Sequence, residues 1–386
     1  MSRWRNFCIT ELADFCNAQR IPLSAMERAH KKGNFPYYGA SGIVDYIDNY
    51  IFDGSYILIS EDGENLKSRK TPIAFEATGK FWVNNHAHVL KAKKPHLTAL
   101  IIQYFSQLDL SPYLTGAAQP KLNKASLNLI PLYLPIDESE QKAIASILSS
   151  LKDKIDLLHC QNKTLESMAE TLFRQWFIEE SQDEWPEVTL NQYVELNKSS
   201  IDKKYNIKEI QYLDTGSLTK GKISELQKIL LSDAPSRAKR LVNNFDIIIS
   251  TVRPDQCHYG ICIDPPSNLV VSTGFCVITS KSLSPFFIYY LITSEDMTEY
   301  LHSIAEGSTS TYPSLKPEDI GNIPFLYPSE EKLKNFHDLV GSYWNKIHNN
   351  HKKIQTLETL RDTLLPKLMS GEVRVQYAEE KLESVA

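Results

Sequence analysis

Several features that define common protein classes are missing from this 386-residue sequence. No run of about 18 apolar residues occurs, which excludes a membrane-spanning helix. The opening residues are polar and lack the apolar segment of a secretory signal peptide, so a cytoplasmic location is expected. None of the six cysteines forms a Cys-x-x-Cys pair, which argues against a zinc site and predicts free, buried thiols.

Signatures of several enzyme classes are missing as well. The sequence has no Gly-x-Ser-x-Gly elbow and no His-Glu-x-x-His helix. Residues 216–223 fall short of a phosphate-binding loop, because Ile223 stands where a Ser or Thr would hold Mg²⁺. Asp264-Pro265-Pro266-Ser267 lacks the aromatic residue with which amino-methyltransferases stack a flipped base. The sequence therefore predicts no catalytic centre, no metal site and no bound cofactor.

Charge is unevenly distributed along the chain, whose net charge is −5. Residues 1–135 carry 15 basic and 11 acidic side chains, whereas residues 136–185 carry 5 basic and 11 acidic ones. Residues 186–328 are again slightly acidic, with 13 basic and 16 acidic side chains. A nucleic-acid partner would therefore have to be bound by local basic clusters rather than by overall charge.

An internal repeat is the strongest signal in the sequence. Five apolar and proline positions recur with the same spacing at an offset of 193: Leu122, Leu127, Ile130, Pro131 and Pro135 return as Leu315, Ile320, Ile323, Pro324 and Pro328. A fainter match opens each half, where Trp4, Ile9, Leu12 and Phe15 correspond to Trp185, Leu190, Tyr193 and Leu196. The segments between these positions have diverged, which indicates two copies of one unit that read different targets.

A long helical pattern follows each of the two repeated segments, 122–135 and 315–328, which are called the joints. No Gly or Pro occurs in residues 136–185, and the apolar residues there recur in heptads, interrupted by Asn162. A second apolar stripe follows Pro328 and carries Asn350 and Arg361; Pro366 should end or kink that helix near Leu365, and Gly371 should close it. The residues expected to form the helix–helix interface are Ile144, Leu148, Leu151, Ile155, Leu158, Asn162, Leu165, Leu172, Phe336, Val340, Tyr343, Ile347, Ile354, Leu357 and Leu364.

These patterns predict an α+β protein with two tandem α/β recognition domains, joined by two long antiparallel coiled-coil helices that place the domains at opposite ends of a rod. The predicted boundaries are 1–135 and 186–328 for the domains, 136–185 and 329–375 for the helices, and 376–386 for a tail. Strands are expected at 55–60, 81–83, 88–90, 246–250, 270–272 and 275–278, and helices at 97–113 and 285–300. Alternatively, each long helix packs back onto its own domain.

Basic and polar clusters lie beside the predicted strands. Lys and Arg bind phosphates, and Arg, Asn and Gln are the side chains that most often read base edges. Each cluster taken alone also fits a solvated loop. The candidate DNA contacts are Lys67, Arg69, Lys70, Asn84, Asn85, Gln119, Lys121 and Lys124 in the first domain, and Arg237, Lys239, Arg240, Arg253, Ser308, Thr309, Ser310, Tyr312 and Lys316 in the second.

Three motifs resemble those of a known family. Residues 116–123 (GAAQPKLN), residues 364–373 (LLPKLMSGEV) and Phe52-Asp53-Gly54 with Glu61-Asp62-Gly63 are similar to segments of the specificity subunits of bacterial type I restriction-modification enzymes. The order of these motifs and the internal repeat extend the resemblance over essentially the whole chain.

The resemblance implies a non-catalytic subunit that reads a split, asymmetric site on double-stranded DNA. Its paired helices would measure the unread spacer and bind two copies of the modification subunit, an S-adenosylmethionine-dependent adenine N6-methyltransferase. Restriction subunits with an ATP-driven translocase and a nuclease would join them, so S-adenosylmethionine, ATP and Mg²⁺ are expected on partner subunits. The alternatives are a coiled-coil scaffold without DNA readout, a specificity subunit of a methyltransferase-only or fused restriction system, and a self-contained methyltransferase or nuclease.

Overall fold

A computed structural model describes residues 3–116, 119–202, 205–307 and 313–375. These residues form two compact units: unit 1 holds the described residues up to 158 and from 353 onwards, and unit 2 holds those from 159 to 352. The division falls inside both long helices, so each unit contains a segment of each helix. The predicted tail, 376–386, lies outside the described residues.

The strands and short helices of unit 1 precede residue 136. The strands are β1 (Trp4–Phe7), β2 (Ala13–Phe15), β3 (Lys32–Gly39), β4 (Gly42–Ile47), β5 (Phe52–Asp53), β6 (Tyr56–Ser60), β7 (Ala74–Ala77), β8 (Lys80–Val83), β9 (Ala87–Ala92) and β10 (Leu132–Pro135). The helices are α1 (Ile9–Leu12), α2 (Ala25–Ala29), α3 (Asn65–Ser68), α4 (Pro95–Gln107) and α5 (Lys124–Leu129).

Two long helices are shared between the units, α6 (Glu138–Phe173) and α10 (Glu330–Ser370), and a π-helical turn, Arg174–Glu179, follows α6. The strands of unit 2 are β11 (Glu187–Thr189), β12 (Val194–Leu196), β13 (Glu209–Leu213), β14 (Leu218–Thr219), β15 (Lys222–Ile223), β16 (Gln227–Leu230), β17 (Ala238–Leu241), β18 (Ile247–Ser250), β19 (Tyr259–Ile261), β20 (Leu269–Ser272), β21 (Phe275–Ser280) and β22 (Pro324–Leu326). Its shorter helices are α7 (Pro285–Thr293), α8 (Glu295–Glu306) and α9 (Pro317–Gly321).

The sheets show the internal repeat in three dimensions. Unit 1 has four-stranded sheets in the orders β2-β9-β6-β7 and β4-β3-β8-β5, and unit 2 has the matching orders β12-β21-β18-β19 and β16-β13-β20-β17. The pairs β3–β8 and β13–β20 are parallel, and the other neighbours in these sheets are antiparallel. The predicted mixed α and β fold with two repeated bodies is confirmed.

The repeated joints lie where the first strand of each unit meets the strand before each long helix. Asn6 pairs with Tyr133 between β1 and β10, and Glu187 pairs with Leu326 between β11 and β22, which agrees with the sequence offsets of 181 and 193. The repeated apolar positions are buried in both copies: Leu122, Leu127 and Ile130 in unit 1, and Leu315, Ile320 and Ile323 in unit 2. The two joint sequences are alike because their apolar residues fill equivalent parts of the cores of unit 1 and unit 2.

Two of the predicted shorter helices have the wrong bounds. The helix expected at 97–113 ends at Gln107, because Leu108 turns to an extended conformation before a 3₁₀ turn at 111–113. The helix expected at 285–300 is two helices, α7 and α8. Ser294 separates them, since its extended backbone leaves the helix and its hydroxyl accepts a hydrogen bond from the Met297 amide at 3.3 Å.

The long helices also differ from their predicted ends. Helix α6 begins after Asp137, whose carboxylate accepts the Ser139 amide at 3.0 Å, but its α-helical hydrogen bonding stops at Phe173 rather than continuing to residue 185. Pro366 was expected to end or kink helix α10, and the helix does not end there. It continues to Ser370, and Gly371 closes it as predicted, with a positive φ of 75°.

Burial explains why α10 tolerates Pro366. A proline inside a helix costs about 3 kcal/mol, because one hydrogen bond is lost and its ring crowds the preceding turn. Leu365, Leu368 and Met369 are buried on either side of it. Burying each large apolar side chain contributes about 1.5–3 kcal/mol, so together they outweigh the cost.

Within each unit the two long helices pack antiparallel. In unit 1, Ile155 and Leu158 of α6 cluster with Ile354 and Leu357 of α10. Earlier positions of α6 meet later positions of α10, because Ile144 and Leu148 share a cluster with Leu365 and Leu368. That cluster also contains the core of the unit 1 sheet and helices, so the helix ends contribute to the core of the body as well as to the helix pair.

In unit 2 the same antiparallel order appears. Asn162 contacts Asn350, while farther along α6 Phe173 lies near Phe336, with ring centroids 6.1 Å apart. Most predicted interface residues are buried, and the half-buried ones are Leu151, Leu165, Leu172, Tyr343, Leu357 and Leu364. Buried positions that sequence reasoning missed include Phe173, Phe177, Trp344 and Leu365.

The missed positions have a geometric cause. A straight α-helix has 3.6 residues per turn, so a strict seven-residue stripe drifts around its surface. Steps of four from Ala169 to Phe173 and then Phe177 keep the apolar face turned towards the core, and the second step enters the π-helical turn. The heptad prediction instead placed Leu172, which precedes Phe173, on the interface.

The cysteines are all free, as predicted, but only two are buried. Burial of Cys262 and Cys276 raises the pKa of each thiol to about 12. Cys8 and Cys160 are exposed, so the prediction of buried thiols is wrong for these two. In the described part of the chain, no helix is both long and apolar enough to cross a membrane.

Candidate nucleic-acid interface

In unit 1, the end of strand β6 is where loops from distant parts of the sequence meet. The Glu61 amide donates to the His86 carbonyl at 2.9 Å, and the Leu122 amide donates to the Glu61 carbonyl at 2.8 Å. The Gly63 amide donates to the Pro120 carbonyl at 3.1 Å. These bonds hold residues 61–63, the loop at 84–86 and residues 119–122 together at one edge of unit 1, next to the end of β6.

The side chains at this edge form an ion-pair cluster. The Arg20 guanidinium donates to the Glu61 carboxylate at 2.7 Å, to the Ala87 carbonyl at 2.7 Å and to the Asn85 carbonyl at 3.3 Å. On the other side, the Lys121 ammonium lies 3.7 Å from the second oxygen of Glu61. Sequence reasoning missed Arg20 and Glu61 as site residues, since neither belongs to a basic cluster.

His88 lies beneath this cluster and is 1% exposed. Its Nε2 lies 2.7 Å from the Leu122 carbonyl and its Nδ1 lies 2.9 Å from the Asn17 side-chain amide. A neutral ring that donates from Nε2 and accepts at Nδ1 satisfies both partners. Burial lowers the pKa of His88 below its ordinary value, which also favours this neutral form.

Acid should therefore weaken unit 1 through His88. A histidine whose pKa is lower in the folded than in the unfolded state gives its full stability above the unfolded value, about 6.5, and loses it as pH falls below that value. The loss should approach about 1.4 kcal/mol per pH unit in that window. We expect the wild-type chain to lose more stability than His88→Gln between about pH 7 and about pH 5.5, measured by urea denaturation. Equal pH slopes for the two proteins would contradict this assignment.

Exposed polar groups surround the buried cluster. The His86 ring is 48% exposed, and its Nδ1 lies 2.9 Å from the Asp62 carboxylate, which orients the ring. Asn84 accepts the His86 amide through its side-chain oxygen at 2.8 Å, and Asn85 and Gln119 are exposed. The fold thus brings the predicted cluster at 84–85 together with that at 119–121.

The remaining unit 1 candidates have different surroundings. Lys67 and Lys70 are exposed in and after α3. The guanidinium of Arg69 donates to the Ser106 carbonyl at 2.9 Å and to the carbonyls of Phe105 and Leu108, so its positive charge caps the C-terminal end of α4. Lys124 lies over the Phe15 ring, 4.7 Å from its centroid.

Unit 2 repeats the backbone of this edge with different side chains. The Thr251 amide donates to the Gly274 carbonyl at 2.8 Å, the Leu315 amide to the Thr251 carbonyl at 2.7 Å, and the Arg253 amide to the Pro313 carbonyl at 3.0 Å. Thr251 thus holds the place of Glu61. Arg253 is exposed at this edge, and Lys316 is exposed at the start of α9.

Other unit 2 candidates lie on or beside β17. Arg237 and Lys239 are exposed, whereas Arg240 is half-buried and donates to the Ser200 hydroxyl at 3.3 Å. Ser308, Thr309, Ser310 and Tyr312 lie outside the described residues.

The near-matches to enzyme motifs have ordinary structural roles. Residues 218–223 form the hairpin β14–β15, with Lys220 and Gly221 at its turn, whereas a phosphate-binding loop would lead into a helix. Pro266 begins a turn closed by a hydrogen bond of 2.9 Å from the Leu269 amide to the Pro266 carbonyl, and Ser267 lies within it. Among the described residues, no three His, Cys, Asp or Glu side chains cluster as metal ligands would.

Comparison with known proteins agrees with this geometry. Residues 1–167 match the family described as the type I restriction modification DNA specificity domain. The MjaIX specificity subunit of Methanocaldococcus jannaschii is 27% identical over 387 aligned positions, which cover 89% of this chain and 88% of that protein. The putative specificity subunit S.HindORF215P of Haemophilus influenzae is 37% identical over 143 residues, which span only 36% of its own length.

A solved structure shares the fold. The S subunit of a type I restriction-modification system from M. genitalium superposes with a TM-score of 0.63 at 16% identity, covering 95% of this chain and 96% of that one. The matched domain is a recognition domain rather than a catalytic one, so the prediction of a subunit without its own reaction is confirmed. Residues 1–167 thus carry a type I restriction modification DNA specificity domain, and over most of its length the chain is similar to specificity subunits of type I restriction enzymes.

Proposed function

We propose that each unit reads one half of a split, asymmetric DNA site through the edge at the end of β6 in unit 1 and of β18 in unit 2. The observation that carries this proposal is the pair of equivalent edges with unlike side chains. Glu61-Asp62-Gly63 in unit 1 corresponds by its backbone hydrogen bonds to Thr251-Val252-Arg253 in unit 2. A protein that reads two different half-sites requires the same backbone arrangement in both units, with different side chains in each.

The candidate contacts have suitable chemistry for both parts of recognition. In unit 1, exposed Lys67, Lys70 and Lys121 would bind phosphates, and Asn85 and Gln119 would read adenine edges. In unit 2, Arg237, Lys239, Arg253 and Lys316 would bind phosphates or guanine. Arg69 and Lys124 would act mainly by shaping the surface, since their charged groups already contact other parts of unit 1.

The paired helices would set the length of the unread spacer between the half-sites. We infer that they also bind two modification subunits, with S-adenosylmethionine held by those partners, and that restriction subunits supply the ATP- and Mg²⁺-dependent steps. The 11 acidic side chains in residues 136–185 support a protein-facing rather than a DNA-facing role for α6. The complex would act on DNA in the cytoplasm.

A genome-wide map of N6-methyladenine, in cells with and without the gene for this chain, tests the proposal. We expect one split motif with a fixed unread spacer to lose its methylation on deletion, and to regain it when the gene is restored. An unchanged map in cells that express the chain and its partner subunits would favour the scaffold alternative.

A further inference from the structure

We propose that the Arg20–Glu61 ion pair is a positioning device that fixes the DNA-reading loops of unit 1 and thereby controls recognition of one half-site only. This inference rests on the proposed function. Both side chains are 14% exposed, so they lie mostly inside the unit and not on the surface that a base edge would touch. Arg20 and Glu61 would therefore affect recognition indirectly, by fixing the loops that they contact.

Arg20 holds the loop that carries the candidate base readers. One of its terminal nitrogens reaches the carbonyls of Asn85 and Ala87 as well as the Glu61 carboxylate. Its Nε donates to the Asn17 carbonyl at 3.1 Å, which fixes the guanidinium in its own segment. A planar guanidinium with several donors suits this arrangement better than a lysine ammonium would.

Glu61 holds the other side of the edge. Its backbone bonds to His86 and Leu122, and its carboxylate lies between Arg20 and Lys121. Lys121 is 50% exposed and can contact DNA while Glu61 restrains it. Loss of the Glu61 charge would leave the mostly buried Arg20 without its carboxylate partner and would release Lys121, so the loops at 84–87 and 119–122 would both lose a fixed point.

At the equivalent edge of unit 2, an uncharged residue stands in the position of Glu61. Thr251 replaces Glu61, and its hydroxyl donates to the Gly274 carbonyl at 3.0 Å. A neutral hydrogen bond thus holds this edge in unit 2, whereas a charged cluster holds it in unit 1. Changes to Arg20 or Glu61 should therefore affect readout by unit 1 and leave readout by unit 2 unaltered.

The experiment uses the full-length chain in complex with its modification subunits and duplex DNA that carries the split motif found by methylation mapping. Affinity is measured for the cognate duplex and for duplexes with one base pair changed in either half-site. For Glu61→Gln we expect about a tenfold loss of discrimination at one half-site, within the range that a single base pair supplies, and no loss at the other. Arg20→Lys should act in the same direction, because it keeps the charge but cannot hold both carbonyls.

Glu76→Gln is the matched control, since Glu76 also lies in unit 1 and accepts a hydrogen bond from the Ser55 hydroxyl at 2.6 Å, but its side chain is exposed and it is not among the residues that form this edge. It should discriminate like the wild type, and the reversed pair Arg20→Glu with Glu61→Arg should recover part of the lost discrimination. Equal losses at both half-sites, or wild-type discrimination by Glu61→Gln and Arg20→Lys, would overturn the inference. A wild-type complex that discriminates at neither half-site would instead refute the proposed function.

Discussion

Replacing Phe336 with alanine should lower the free energy of unfolding of unit 2 by about 3–5 kcal/mol. Phe336 is fully buried, and its ring lies 5.0 Å from the Phe177 ring, 6.1 Å from Phe173 and 6.2 Å from Trp176. Removing it loses the burial of a large aromatic ring and leaves a cavity between α6 and α10 that rigid neighbours fill only partly. Urea denaturation followed by tryptophan fluorescence measures the change.

Met168→Ala is the control for this substitution. Met168 also lies on a long helix in unit 2, but it is 44% exposed, so its truncation should change stability by no more than about 0.5 kcal/mol. We expect the Phe336 variant to lose assembly with partner subunits at temperatures that the Met168 variant tolerates. Similar losses of stability for both variants would show that the packing between α6 and α10 does not determine the stability of unit 2.

The second large effect concerns the buried amide pair between the two long helices. Asn350 is 0% exposed and Asn162 is 4% exposed, and one hydrogen bond of 2.8 Å joins the Asn350 amide nitrogen to the Asn162 oxygen. The other two amide atoms, Asn162 Nδ2 and Asn350 Oδ1, are buried with no partner among the described residues. Replacing either residue alone by leucine should cost about 1–3 kcal/mol, because the 2.8 Å bond is lost and the remaining amide keeps at most the longer 3.4 Å bond from Asn350 to Gln161.

The double substitution should behave differently from the single ones. With leucine at both positions no buried amide remains, so stability should be close to or above that of the wild type. The non-additivity in a double-mutant cycle gives the coupling between the two residues directly. Lys163→Leu, at an exposed position next to Asn162, serves as the control. A double variant as unstable as the sum of the two single variants would contradict this account.

The unsatisfied amide atoms of Asn162 and Asn350 lower stability, which suggests that the pair contributes to the alignment of the helices instead. A buried Asn at an interface position of a coiled coil fixes the register of the helices, because only one alignment lets the polar groups meet. The sequence predicted Asn162 on the stripe of α6 and placed Asn350 on the stripe of the second helix. The two amides meet in the observed alignment, so the double leucine variant should keep or gain stability and lose uniqueness of register.

Much of the fold follows from local patterns in the sequence. Strand β6 was expected at 55–60 and forms at 56–60, and β18 was expected at 246–250 and forms at 247–250. Alternation and runs of β-branched residues act over a few positions, so they predict such strands well. The offsets of 181 and 193 likewise predicted which segments are equivalent, because the same core positions recur in both copies.

Local reasoning failed where a distant contact outweighs a local preference. Pro366 signals a helix end, but the burial of Leu365, Leu368 and Met369 keeps α10 helical to Ser370. Ser294 is only a weak sequence signal for a helix end, yet its side-chain cap divides α7 from α8. Arg69 belongs to a basic cluster typical of a phosphate contact, but the fold directs it to the end of α4.

The repeat, the two long amphipathic helices, most strands and the lack of catalytic signatures could be read from the sequence, because all of these depend on residue types at short, regular spacings. The arrangement of the edge at the end of β6 could not, because it depends on contacts between distant segments. Arg20 and Glu61 are 41 positions apart, and Lys121 is 60 residues beyond Glu61. Their meeting depends on the order and register of strands β6 and β9 and on the joint beside them, which are set by hydrogen bonds between segments far apart in the chain.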